Sequence, residues 1–158
     1  MKSSNRFTFF CLYSTLFFTL FFVPIANAEK APELSGSTLM GPAVKYDATK
    51  PALIVFWASW CGNCLAEIPQ LKALHKRLSN SIQFLGVNVN TNPEDGIKTV
   101  TDYQIPYPSL SDPDLTVADQ FGVRGTPTLI AIDHQGYIVH YTHQLDKTLI
   151  TTLESLHH

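Results

Sequence analysis

The sequence predicts an α/β domain in which helices flank a mixed β-sheet. Residues 52–57 and 82–89 have the length and composition of buried strands, and segments with helical periodicity alternate with them. Such alternation is typical of parallel strands joined by helices. Residues 128–133 and 137–143 form two further strands joined by only three residues, which predicts an antiparallel hairpin. The sheet is therefore expected to contain both strand orientations.

The first half of the chain predicts a loop, a strand and a long helix. Residues 31–50 contain glycines, prolines and an Asp-Ala-Thr segment, so they predict a loop or a short hairpin before the strand at 52–57. A helix is predicted over residues 63–78, because apolar side chains recur there at steps of three and four. These side chains are Leu65, Ile68, Leu71, Leu74 and Leu78. Pro69 predicts a bend in this helix, and His75 is expected to be solvated.

The second half adds a strand, three helices and the hairpin. After the strand at 82–89, Asn92 and Pro93 predict the start of a helix that runs to residue 103. Three prolines in residues 105–113 predict an irregular connection. The remaining elements are a short helix at 115–121 ended by Gly122, the hairpin strands, and a closing helix at 146–156 with Asp146 as its N-cap.

Residues 1–28 have the pattern of an export signal. Lys2 and Arg6 give a positive start, residues 7–23 form an apolar run, and residues 26–28 form a small-x-small cleavage site. We expect cleavage after Ala28. The run of 17 residues is also at the lower limit for crossing a bilayer, so an uncleaved N-terminal anchor stays an alternative. Both interpretations place the remaining chain outside the cytoplasm, in the periplasm or its equivalent.

Residues 29–158 have the size of one domain with a full core. The predicted signal holds two basic and no acidic residues, which leaves 9 basic and 13 acidic residues and a net charge of −4. An acidic domain of this kind gives no indication of nucleic-acid binding. We expect a monomer, and no cofactor is implied.

Cys61 and Cys64 form a single Cys-x-x-Cys pair that directly follows the first core strand. If Asn63 opens the helix, the unpaired N–H groups at the helix start stabilise the Cys61 thiolate. Cys61 is then the exposed, attacking sulfur. Cys64 lies one turn further along, is expected to be more protected, and can resolve a mixed disulfide by closing a bond to Cys61.

Two other roles for this pair are weighed against redox exchange. A zinc or Cu(I) site, or a chaperone-like module built on one, would need further ligands, and neither a second Cys pair nor a suitably spaced His pair is present. A purely structural disulfide would stabilise little, because the loop that it closes is short. No metal site is therefore expected, and the pair favours catalysis.

Three motifs carry a resemblance to a known family. They are Phe-Trp-Ala-Ser-Trp-Cys-Gly-Asn-Cys at residues 56–64, Glu67 with Pro69, and Gly-Val-Arg-Gly-Thr-Pro-Thr at residues 122–128. The chain resembles the thioredoxin superfamily over residues 31–156. Within it, the chain is similar to the exported thiol-disulfide oxidoreductases of the TlpA, ResA and DsbE type. A thioredoxin-like fold is therefore expected.

The resemblance implies where a substrate docks. Pro127 would be a cis-proline facing the two cysteines, and the backbone of Thr126 would pair with an extended polypeptide beside Cys61. Trp60, which precedes the attacking cysteine, would belong to the same substrate-binding surface. The residues alone would predict an ordinary trans bond before Pro127, because few X-Pro bonds are cis.

The resemblance also implies a proton acceptor. Glu67 would take the proton of Cys64, replacing a buried aspartate that other thioredoxins carry at the position of Val55. From the residues alone, Glu67 would be an ordinary surface glutamate. Asn63 departs from the family, because proline commonly occupies that position.

The implied function is reduction of disulfides in exported proteins by Cys61 and Cys64, with apocytochrome c as the first substrate class to consider. A membrane thiol electron donor would regenerate the dithiol, since no cytosolic reductant reaches that compartment. A disulfide oxidase or isomerase on the same fold is the alternative within the class.

Overall fold

The computed structural model describes residues 29–157. The predicted signal or anchor at residues 1–28 lies outside the described residues and stays a prediction. The described elements are β1 (Ser35–Gly36), β2 (Val44–Lys45), β3 (Ala52–Trp57), α1 (Gly62–Leu78), β4 (Gln83–Asn88), α2 (Pro93–Tyr103), β5 (Ser109–Ser111), α3 (Thr116–Gln120), β6 (Thr128–Ile132), β7 (Ile138–Thr142) and α4 (Lys147–Leu156).

The five larger strands form one mixed sheet in the order β5-β4-β3-β6-β7. Strands β3, β4 and β5 run parallel, whereas β6 pairs antiparallel with both β3 and β7. Strands β1 and β2 form a separate antiparallel ribbon. The mixed sheet and the short N-terminal hairpin are both confirmed.

The central strand β3 is covered on both faces. All six of its residues are buried, with at most 3% of each residue exposed. One face packs against helices α1 and α4, through side chains such as Leu71 and Leu153. The other face packs against helix α3 and its surroundings, including Phe121. Burial on both faces explains why β3 is a continuous apolar run rather than an alternating one.

Helix starts agree with the capping residues seen in the sequence. Asn92 caps α2 by accepting a hydrogen bond from Glu94 N at 3.3 Å, and Asp146 caps α4 by accepting one from Leu149 N at 2.8 Å. Helix α1 contains Pro69 in its interior. The bend expected there stays a prediction.

The prediction of an irregular connection over residues 105–113 is wrong in part, because strand β5 forms within this segment. Its prolines lie outside Ser109–Ser111, so they remove no hydrogen-bond donor from the strand. Gly86 N donates to Pro108 O at 2.8 Å, and the pairing with β4 continues to the end of β5. Thr38 bridges Leu110 from the other side. These partners lie far away in sequence, which is why local turn signals missed the strand.

His75 is half-buried rather than solvated, so that expectation is wrong. Its ring packs edge-on against Phe84, with ring centroids 5.2 Å apart, and also contacts Tyr107. Burial lowers the pKa of His75, because desolvation disfavours the charged imidazolium. The side chain therefore belongs to the packing between α1 and the sheet.

Among residues 29–157, no helix is long and apolar enough to cross a membrane.

Candidate active site

The sheet places the two cysteines and the Thr126–Pro127 turn at the same edge. Strand β3 ends at Trp57, just before the cysteines, and β6 begins at Thr128, which pairs with Phe56. Because the two strands are antiparallel, the end of one lies beside the start of the other. The peptide bond between Thr126 and Pro127 is cis, as the resemblance implied.

Cys61 is the N-cap of α1, and Cys64 lies in the first turn of the helix. Cys61 has extended backbone angles, and its Sγ accepts a hydrogen bond from Cys64 N at 3.2 Å. The two sulfurs form a disulfide, so the structure is that of the oxidised protein. In the reduced protein the same N–H and the helix dipole would favour a thiolate at Cys61.

The expected difference in exposure between the two cysteines is not present in the oxidised protein. Cys61 is 6% exposed and Cys64 5% exposed. Trp60, directly before them, is instead 69% exposed. The position of Cys61 at the helix start, where Cys64 N donates to its sulfur, is a second source of different reactivity.

The loop before Cys61 is held by a buried pair of asparagines that the sequence analysis missed. Asn90 Oδ1 accepts from Ser59 N at 2.9 Å, and Asn90 Nδ2 donates to Ser59 Oγ at 2.7 Å. Asn88 Nδ2 donates to Asn90 Oδ1 at 2.8 Å. Asn88 and Asn90 are 0% and 3% exposed. Two asparagines at the end of a buried parallel strand could have predicted this, because buried amides require partners.

Glu67 is anchored through one carboxylate oxygen. Its Oε1 accepts a hydrogen bond from Leu145 N at 2.8 Å. Its Oε2 is buried and has no hydrogen-bond partner within residues 29–157. Burial raises the pKa of Glu67, because desolvation disfavours the carboxylate, and the bond from Leu145 N opposes this shift by stabilising the charge. This Glu67 environment is not that of a surface glutamate.

Cys64, Glu67 and Pro127 line one small cavity of about 10 Å³. That is close to the smallest volume that can hold a water molecule. The other lining residues are Val55, Trp57, Ile68, Leu71, Ile105 and Tyr107. Glu67 therefore supplies the one carboxylate among the residues that line this cavity, and the apolar side chain of Val55 faces the same space.

Trp60 and Thr126 line a groove on the surface beside the same edge of the sheet. Its volume is about 420 Å³, and its walls also include Leu115, Val123 and Arg124. The six residues predicted for the site thus lie around the start of α1. Trp60 and Thr126 line the groove, Cys64, Glu67 and Pro127 line the cavity, and Cys61 is the N-cap of the helix.

His143 is a contact of the Thr126–Pro127 turn that the sequence analysis did not identify. Its Nδ1 lies 3.2 Å from Pro127 O and 3.0 Å from Thr128 Oγ1. Among the described residues, no group of three His, Cys, Asp or Glu side chains is placed to hold a metal ion.

A dithiol at the start of a helix, a neighbouring carboxyl group and a cis-proline turn can carry out dithiol–disulfide exchange. The fold defines a thioredoxin-like domain that places the Cys61–Cys64 disulfide beside a cis-proline turn. The chain belongs to the AhpC/TSA family, whose model matches residues 28–141.

Two curated relatives and one solved structure illustrate the similarity. The thiol:disulfide interchange protein DsbE of Pseudomonas aeruginosa is 36% identical over 92 residues, which cover 58% of this chain and 49% of that protein. The thiol:disulfide interchange protein HelX of Rhodobacter capsulatus is 33% identical over 123 residues, covering 74% and 68%. The thioredoxin domain of a thiol-disulfide oxidoreductase from Bacteroides vulgatus superposes with a TM-score of 0.73 at 23% identity, covering 84% and 99%. The chain spans about half the length of the DsbE relative.

Proposed function

We propose that the protein is an extracytoplasmic thiol:disulfide oxidoreductase that reduces disulfides in exported proteins. The observation that supports this most strongly is the Cys61–Cys64 disulfide at the start of α1, beside the Thr126–Pro127 turn. The names of DsbE and HelX, both thiol:disulfide interchange proteins, point to the same chemistry. The apolar run and cleavage pattern in residues 1–28 support export.

The reaction begins on the reduced protein. The Cys61 thiolate attacks one sulfur of a substrate disulfide, and the other substrate sulfur leaves as a thiolate that takes a proton from water. A mixed disulfide now joins Cys61 to the substrate. The backbone of Thr126 and the exposed ring of Trp60 would hold the substrate segment in the groove during this step.

Resolution needs a thiolate at Cys64. The Glu67 carboxylate accepts the Cys64 proton, either directly or through one water molecule in the cavity that both residues line. The Cys64 thiolate attacks Cys61 Sγ, the internal disulfide forms, and the second substrate sulfur leaves and is protonated. The substrate gains two electrons and two protons, and the protein is left oxidised, as in the structure.

The oxidised protein must be reduced again before the next cycle. We propose a membrane thiol protein as the electron donor, because soluble cytosolic reductants do not reach this compartment. Among exported proteins, apocytochrome c is the substrate class that we place first.

Trapping of the mixed disulfide tests this function. A Cys64→Ser variant can attack a substrate but cannot resolve the product, so it should accumulate disulfide-linked adducts with exported proteins. Cys61→Ser is the matched control, since it retains one thiol but lacks the proposed nucleophile. Adducts that form on the Cys61→Ser variant and not on Cys64→Ser would contradict the assigned roles. Adducts made only with cytoplasmic proteins would contradict the proposed compartment.

A further inference from the structure

The turn at Pro127 is contacted by a loop that follows β7. This loop, residues 143–145, places His143 Nδ1 at 3.2 Å from Pro127 O and at 3.0 Å from Thr128 Oγ1. His143 as a whole is exposed. The ring also packs edge-on against Tyr141, with ring centroids 5.5 Å apart, so this contact and the hydrogen bonds together orient it.

The neighbouring hydrogen bonds settle which group donates. The Thr128 hydroxyl donates its single hydrogen to Gly125 O at 2.7 Å, so that oxygen can only accept from His143. Pro127 O is a carbonyl and can only accept as well. Since Nδ1 faces two acceptors, it must carry a hydrogen, which it shares between Pro127 O and Thr128 Oγ1.

We infer that His143 is a positioning residue that holds the Thr126–Pro127 turn in the shape that a polypeptide substrate requires. Pro127 has no N–H, so its segment lacks one of the backbone donors that normally anchor a chain. The His143 donor supplies a bond from outside the segment to the carbonyl of the same residue. Thr126, which would pair with the substrate, is the adjacent residue.

This role predicts selectivity between kinds of substrate. A polypeptide disulfide must pair with the backbone at Thr126, whereas a small disulfide needs only access to Cys61. Loss of the His143 donor should therefore slow the reaction with a peptide and leave the reaction with a small disulfide unchanged. The inference rests on the proposed function, because it assumes that the substrate is a polypeptide.

Three substitutions separate the hydrogen bond from the bulk of the ring. His143→Leu removes the donor. His143→Asn keeps an N–H on the atom next to Cγ, which is where Nδ1 lies, and His143→Gln moves the N–H one bond further out. None of the three variants removes an atom of the bond from Leu145 N to Glu67, because the Leu145 backbone donates it.

His134→Leu is the matched control. His134 also uses a ring nitrogen to contact a backbone carbonyl, that of Leu156, at 3.1 Å. That contact joins the β6–β7 hairpin to the end of α4, away from the cysteines. The variant removes the same kind of bond from the same kind of residue.

The measurement is the rate at which the fully reduced protein reduces two probes, a short peptide with one internal disulfide and hydroxyethyl disulfide. We expect His143→Leu and His143→Gln to lower the peptide rate by about two- to tenfold, the effect of one neutral hydrogen bond. His143→Asn should restore most of the rate. The hydroxyethyl disulfide rate should stay the same in all variants, and His134→Leu should change neither rate.

Several results would overturn the assignment. One is an equal fall of both rates, and another is an unchanged peptide rate in His143→Leu. If His143→Leu does not fold, His143→Asn and His143→Gln are compared instead. Equal peptide reduction rates for these two variants would then reject the donor role of His143. Failure of the unaltered protein to reduce the peptide would reject the proposed function and this inference together, whereas the other results reject the inference alone.

Discussion

Glu67 Oε1 accepts a hydrogen bond from Leu145 N at 2.8 Å, although the two residues lie 78 positions apart. The loop before α4 thus fixes a carboxyl group that belongs to α1. The second oxygen of Glu67 stays without a partner among the described residues, and the residue lines the same small cavity as Cys64. The carboxyl group is held in place while one oxygen remains available for a proton.

Glu67→Gln should slow the resolution of mixed disulfides. A neutral amide cannot accept the Cys64 proton, and a single general base typically contributes about 10²- to 10⁴-fold to a rate. The lifetime of the adduct between the reduced protein and a disulfide peptide, measured by rapid quenching, reports this step. Glu154→Gln is the control, because Glu154 forms an exposed ion pair with Arg77. Equal adduct lifetimes in the two variants would return Glu67 to a structural role.

The same variant should change how stability depends on pH. Burial raises the pKa of Glu67 above its usual 4.5, so the folded protein holds this proton to higher pH than the unfolded chain does. The contribution of Glu67 to the free energy of unfolding therefore falls as the pH rises from about 4.5 through the raised pKa. Chemical denaturation should show Glu67→Gln gaining stability relative to the unaltered protein between acidic and neutral pH. A constant difference across that range would contradict the shift.

Asn90→Ala should loosen the loop that contains Ser59 and Trp60 and leads into Cys61. The substitution leaves Ser59 N and the buried Asn88 amide without their partner, which typically costs about 1–3 kcal/mol. Urea denaturation measures the loss, and alkylation of the reduced protein measures the reactivity of Cys61. Asn92→Ala is the matched control, since it removes the α2 cap and should cost about 1 kcal/mol without altering alkylation. The same alkylation rate in both variants would show that the asparagine pair does not position the loop.

His75 should make the protein less stable at mildly acidic pH. Burial lowers its pKa below the usual 6.5, so the unfolded chain takes up this proton first as the pH falls. The contribution to stability is complete above pH 6.5 and declines below it. A His75→Gln variant should therefore lose less unfolding free energy between neutral pH and about pH 5 than the unaltered protein. Parallel stability curves for the two proteins would argue against a buried, neutral imidazole.

The sequence predicted those helices and strands whose ends are set by neighbouring residues in the chain. Asn92 and Asp146 are capping residues, so the starts of α2 and α4 could be placed from the sequence. Strand β5 could not, because its pairing with β4 and with Thr38 depends on residues far away along the chain.

In the candidate site, too, the sequence predicted the motifs but not the contacts between residues that are distant along the chain. The Cys61–Cys64 pair was visible as a motif, and the resemblance supplied Glu67 and Pro127. The bonds from Leu145 to Glu67 and from His143 to Pro127 were not visible, since backbone and ring donors find such partners only after the sheet and α4 have packed.

The central claim is that the Cys61–Cys64 pair donates electrons to substrate disulfides. The most direct measurement is the reduction potential of the pair, obtained by equilibrating the protein in glutathione or dithiothreitol redox buffers and separating the oxidised and reduced forms. A reductant in this compartment requires a low potential, and we expect a value below about −180 mV. A value near about −120 mV, the level of a strong oxidant, would contradict this account and favour an oxidase.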